Sequence, residues 1–131
     1  PKVGSGALEV ARALSAAMSP HSRVAAPPGV SRILPMLNGY SYPLVIKPKY
    51  LSTSEEERKH RFKVTKFLGR EKPEDHQVTW VIGKLDEYRV EGVVSKQARR
   101  GDGWAAALRR AGFDREAALP GHEIWRRKLP E

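Results

Sequence analysis

Four histidines, His21, His60, His76 and His122, are the first residues to weigh for chemistry in this 131-residue chain. None stands at metal-ligand spacing from another. Glu74 and Asp75 lie beside His76, but no second cluster completes a site. Cysteine is absent. That excludes thiolate zinc sites, cysteine nucleophiles, disulfide frameworks and cysteine-held iron–sulfur clusters. Glu55-Glu56-Glu57 is a run of carboxylates, but Arg58-Lys59-His60-Arg61 follows at once. Such self-compensated charge is solvated, whereas acid–base catalysis needs carboxylates shielded from water. Gly4-Ser5-Gly6 lacks the spacing and the Lys-Ser/Thr pair of a phosphate loop, and no serine sits in a Gly-x-Ser-x-Gly turn. The residues specify no catalytic group, no metal ligand set, no cofactor and no small-molecule substrate. The chain is expected not to be an enzyme.

What the sequence does offer is positive charge. Lys and Arg number 24 against 15 for Asp and Glu, a formal net charge of +9. The excess runs along the whole chain, net +3 over residues 1–40 and net +6 over 41–131. Three local clusters stand out: Arg99-Arg100, Arg109-Arg110 and Arg126-Arg127-Lys128. Arginine dominates them, and its planar fork suits phosphate oxygens. A polyanion bound through such clusters releases counterions. Arg61, Lys63 and Lys66 add a second kind of candidate. They surround Phe62, so a base could stack there beside its phosphates. Trp125, next to the last cluster, is a candidate anchor in a partner's groove or on RNA.

These residues must be positioned by secondary structure. Leu8, Ala11, Leu14 and Met18 recur at helical spacing, so Ser5 to Met18 reads as an amphipathic helix stopped by Pro20. Ala25-Ala26-Pro27-Pro28-Gly29 reads as an extended linker, and Asn38-Gly39 as a turn. Tyr42 to Lys47 reads as a strand, ended or placed at a sheet edge by Pro48. Arg61 to Leu68 alternates and reads as a half-buried strand with a basic outer face. Val78 to Ile82 favours a strand, with a helix from Pro73 to Leu85 as the alternative. Glu87 to Ser95 alternates again, with Gly92 as a bulge. Asp102 caps the clearest helix, Gly103 to Ala111, with Trp104, Ala107 and Leu108 inward. Gly112 stops it and Phe113 packs back. Phe62, Phe67, Trp80 and Tyr88 also fall at inward positions.

The expected architecture is α+β: a small, mostly antiparallel sheet packed by one or two helices, with extended tails at both ends. Residues 1–40 form an N-terminal extension, residues 41–113 the domain, and residues 114–131 a basic C-terminal tail. The extension has no acid between Glu9 and Glu55 and is rich in Ala, Ser and Arg. That composition suits a trimmed mitochondrial targeting segment. No apolar run approaches the roughly 20 residues needed to span a bilayer.

Tyr42-Pro43, the stretch Tyr88 to Val94, Trp104 with Leu108, and Gly112-Phe113 occur in this order over about 70 residues. In these positions the chain resembles mitochondrial large-subunit ribosomal proteins whose domain is like that of translation initiation factor one. It departs from them between Leu51 and Leu85, and the segment from Asp114 is additional. The resemblance implies a ribosomal protein of the mitochondrial matrix, a structural constituent partnered by rRNA and neighbouring ribosomal proteins. Two other readings remain open on composition: an accessory subunit of another mitochondrial complex, and a free RNA-binding module or small translation factor.

Overall fold

β-branched and apolar residues crowd two short stretches late in the chain, and these become the centre of a sheet with five strands among the described residues. The computed structural model describes residues 5–19, 22–37, 42–43 and 54–129. Its elements are α1 (Ser5–Ala17), β1 (Arg23–Ala25), α2 (Pro28–Leu37), β2 (Tyr42–Pro43), α3 (Glu55–Leu68), α4 (Asp75–Glu87), β3 (Gly92–Lys96), α5 (Ala105–Arg110), β4 (Asp114–Leu119) and β5 (His122–Arg126). The strands lie in the order β2-β1-β3-β5-β4. β1 runs parallel to both β2 and β3, with two residue pairs in each register. β3 and β5 pair antiparallel from Gly92↔Arg126 to Lys96↔His122. β4 and β5 form an antiparallel hairpin, turned at Pro120-Gly121 with Gly121 at φ 85. Most of the ladder is therefore antiparallel, and the fold is α+β as expected.

Alternation along the central strands feeds a separate core on each face. Val93, Trp125 and Ala25 point to one side, where α3, α4, α5 and the residues that cap them supply Val64, Phe67, Leu68, Val81, Leu85, Tyr88, Trp104 and Leu108. Val94, Ile124 and Val24 point to the other, where α1 and α2 supply Val10, Ala11, Leu14, Met18, Val30, Ile33 and Leu34. Helices thus cover both faces.

Several expectations change. Arg61 to Leu68 is the second half of α3, not a strand. Ser54 Oγ accepts from the Glu57 backbone N–H at 3.1 Å, and three glutamates occupy the first turn, where the helix dipole favours them. Val64, Phe67 and Leu68 are buried at helical spacing, while Phe62 is 46% exposed and outside the core. Val78 to Ile82 belongs to α4, the helical alternative. Pro27-Pro28-Gly29 is no linker, because Pro28 opens α2, a position that needs no backbone N–H. Gly92 lies in a regular ladder; the register irregularity falls between Arg115 and Ala117 instead. The boundaries at 40 and 113 also move. The described residues of 5–37 and 114–126 are helices and strands of the same sheet. The strand expected through Lys47, the Pro20 stop and the Asn38-Gly39 turn lie outside the described residues, apart from Tyr42 and Pro43.

Candidate nucleic-acid interface

The loop after β3 carries Arg99 and Arg100, and it is held at several points. The Gln97 N–H donates to the Gly121 carbonyl at 2.9 Å, and the Arg99 N–H to Glu71 Oε1 at 2.7 Å. Gly103, at φ 51, lets the chain turn against Ala98, where a Cβ would come within 2.9 Å. Trp104 is buried and its Nε1–H donates to the Arg70 carbonyl at 3.1 Å. This bond ties the loop to the α3–α4 connection, which presents Arg70 and Lys72 at the surface. Four cations therefore share two linked loops. Of the three carboxylates there, Glu71, Glu74 and Asp102, Glu71 accepts from the Arg99 backbone and lies 3.9 Å from the Arg99 Nε.

α5 repeats the arrangement at its far end. Ala107 and Leu108 are buried, and Gly112, at φ 96, ends the helix as the sequence suggests. The Phe113 N–H returns to the Leu108 carbonyl at 3.0 Å, and Phe113 is buried. Arg109 and Arg110 are exposed in the last turn, with the Arg109 guanidinium 5.6 Å from the Trp125 ring centre. Arg99, Arg100, Arg109 and Arg110 thus project from a rigid loop–helix unit whose inner face is core.

The third cluster is divided by the fold. Arg126 ends β5 and is half-buried, and Lys128 is exposed. Arg127 is buried, so it leaves the set of RNA-binding candidates. Its Nε–H donates to the Val90 carbonyl at 2.8 Å, and its NH2 group donates to the Leu85 carbonyl at 3.0 Å. It also pairs with Asp86 and lies 4.4 Å over the Phe113 ring. Trp125 is not a partner anchor. It is fully buried on β5, and its Nε1–H donates to Ser95 Oγ at 3.0 Å. A segment expected as a tail became an interior strand that buries Trp125, and Arg127, one residue past its end, is drawn in by its bonds to Val90 and Leu85.

No family model, curated protein or solved structure matches the chain.

The α3 candidates also separate. Arg61 is half-buried, 3.5 Å from Glu57 and 5.1 Å from the Tyr88 ring centre, so it is taken up internally. Tyr88 and Arg61 hold the Glu57 carboxyl below its usual range. Burial first, and Glu57 second, push the Tyr88 phenol well above its own. Lys63 and Lys66 are exposed. Lys63 Nζ stands 5.8 Å from the Phe67 ring centre and 5.5 Å from that of Trp80. These two rings meet edge to face at 6.0 Å. With His76 and Gln77 they line an open pocket of about 210 Å³ between α3 and α4. Phe62 stays the exposed ring that the sequence names, and the pocket adds a second aromatic surface, half-buried Trp80 against buried Phe67. Helical spacing could have found it, because Lys63 and Phe67 are four apart, as are His76 and Trp80.

Among the described residues, no group of three or more His, Asp or Glu could hold a metal ion. Among them, too, no helix is long and apolar enough to cross a membrane. His122 sits lower than an ordinary histidine, through burial and then Lys96.

Proposed function

We propose that this protein is a non-catalytic RNA-binding component of a ribonucleoprotein particle, and specifically a structural constituent of the large subunit of a mitochondrial ribosome. The observation that carries the reading is the rigid mounting of Arg99, Arg100, Arg109 and Arg110. The backbone that carries these exposed cations is pinned by Trp104 before binding, so little backbone freedom is lost on contact. Arg70 and Lys72 widen the same surface. Contacts of this kind neutralise phosphates and set orientation without reading bases. Binding then follows RNA shape, as expected of a protein seated among rRNA helices and neighbouring proteins.

The test is binding of the intact chain to a hairpin RNA across a salt series. Arg99/Arg100→Ala and Arg109/Arg110→Ala should each bind more weakly. Each should show a shallower salt dependence, by about one unit of slope per lost phosphate contact. Unchanged slopes in both would overturn the assignment of this surface. Sedimentation of the tagged protein in a lysate gradient addresses the particle: comigration with the large ribosomal subunit of mitochondria is expected, and migration with another complex would overturn the ribosomal reading.

A further inference from the structure

We infer that the pocket between α3 and α4 receives one unpaired base of a single-stranded RNA segment, stacked against Trp80. The inference rests on the RNA reading and adds to it a contact of a different kind. Phosphate contacts at Arg99 and Arg100 serve any backbone, paired or not. A pocket walled by aromatic rings serves only a base that has left its helix.

Three observations converge on the pocket. Its walls are the rings of Trp80 and Phe67, with His60 edge-on to Trp80 at 5.8 Å. Every nucleobase has a π-face that such a surface can take, whatever its identity. Its charge is complementary to RNA. Among its described lining residues Lys63 carries a positive charge and none carries a carboxylate. The Glu74 carboxylate lies 3.3 Å from His76 Nδ1. Lys63 stands over both rings as a flexible cover that can swing from the ring to the entering nucleotide's phosphate. Gln77 Oε1 already accepts from the Glu74 N–H at 3.0 Å, which leaves its amide NH2 group to meet a base carbonyl.

Continuity is the third. The Arg70 guanidinium lies 5.1 Å from the Phe67 ring centre, while its carbonyl accepts the Trp104 indole N–H. Arg70 therefore packs on Phe67, one wall of the pocket, and also belongs to the loops linked to Arg99. A strand leaving the pocket meets Arg70 first and then the cationic loops. The pocket is too small for a folded partner and suits a single ring.

The experiment uses the intact chain with two probes, single-stranded oligouridine and a blunt hairpin. Trp80→Leu keeps apolar contact with Phe67 but removes the indole face. It should weaken oligouridine binding by roughly tenfold, the worth of one stacked base, and leave hairpin binding unchanged. Lys63→Gln should flatten the salt dependence for oligouridine alone. In the wild type, Trp80 is the half-exposed tryptophan, so oligouridine should protect part of the fluorescence from acrylamide and the hairpin should not. This readout needs no variant and stands even if Trp80→Leu fails to fold. Oligouridine affinity unaffected by Trp80→Leu, or fluorescence unprotected at saturation, would overturn the pocket while hairpin binding leaves the RNA reading intact. Failure of the wild type to bind either probe would overturn both.

Discussion

Arg127 shows how one side chain can be read in two opposite ways. In sequence it is the middle of a basic triplet. In the fold it closes the carbonyl ends of two helices, donating to Leu85 in α4 and, at 3.5 Å, to Ala111 just after α5. A cation there also meets the negative end of each helix dipole. Arg127→Met should therefore leave buried carbonyls unpaired and destabilise the protein by about 2–3 kcal/mol. Lys128→Ala, one residue on and exposed, should change stability by less than about 0.5 kcal/mol. Urea unfolding of the two variants decides it, and equal midpoints would return Arg127 to the surface. Nothing in the spelling Arg-Arg-Lys distinguishes these residues; only the bonds that Arg127 makes to Glu91, Val90 and Leu85 just past the end of β5 do.

Among the elements, α5 and α1 were legible because their apolar residues fit one period only. Trp104, Leu108 and the Gly112 stop leave no alternative, and neither do Leu8, Ala11 and Leu14. α3 was not, because Phe62 and Val64 fit a strand while Val64, Phe67 and Leu68 fit a helix. The Ser54–Glu57 spacing was the deciding signal, since serine followed three residues later by glutamate marks a helix start. β1 and β5 were missed because three to five residues carry little pattern, and their partners lie far away in sequence. The candidate site was legible as arginine clusters, but not as a surface, since the pinning of Arg99 depends on Glu71 and Trp104. β3 holds a further case. A Cβ at Gly92 would come within 2.7 Å of Met18 Sδ and 3.1 Å of Val24 Cγ1. The glycine is there so that the end of α1 can rest on the sheet. Gly92→Ala should cost about 1–2 kcal/mol through overpacking. Met18→Ala in the same chain should recover part of that loss, so the two changes will not add. Additive losses in thermal unfolding would mean that α1 does not press on β3.

For the whole molecule, the consequence of a sheet covered on both faces is that residues 5–37 are structural. Leu14 and Leu108 are both fully buried, one in each core. Leu14→Ala should destabilise by about 2–5 kcal/mol, comparably with Leu108→Ala. Each variant should unfold in one transition seen alike by tryptophan fluorescence and circular dichroism. An unshifted midpoint in Leu14→Ala would make α1 an appended arm after all. The strand order adds a constraint on assembly in time. β5 follows β4 in the chain but lies between β3 and β4 in the sheet. A ribosome synthesising this protein therefore releases α1 long before Val94 and Ile124 exist to cover it. β4 likewise emerges without a neighbour until β5 follows. The chain cannot fold by halves as it is made: its first helix can pack on α2 early, but the sheet face that both helices cover is complete only when one of the last strands arrives.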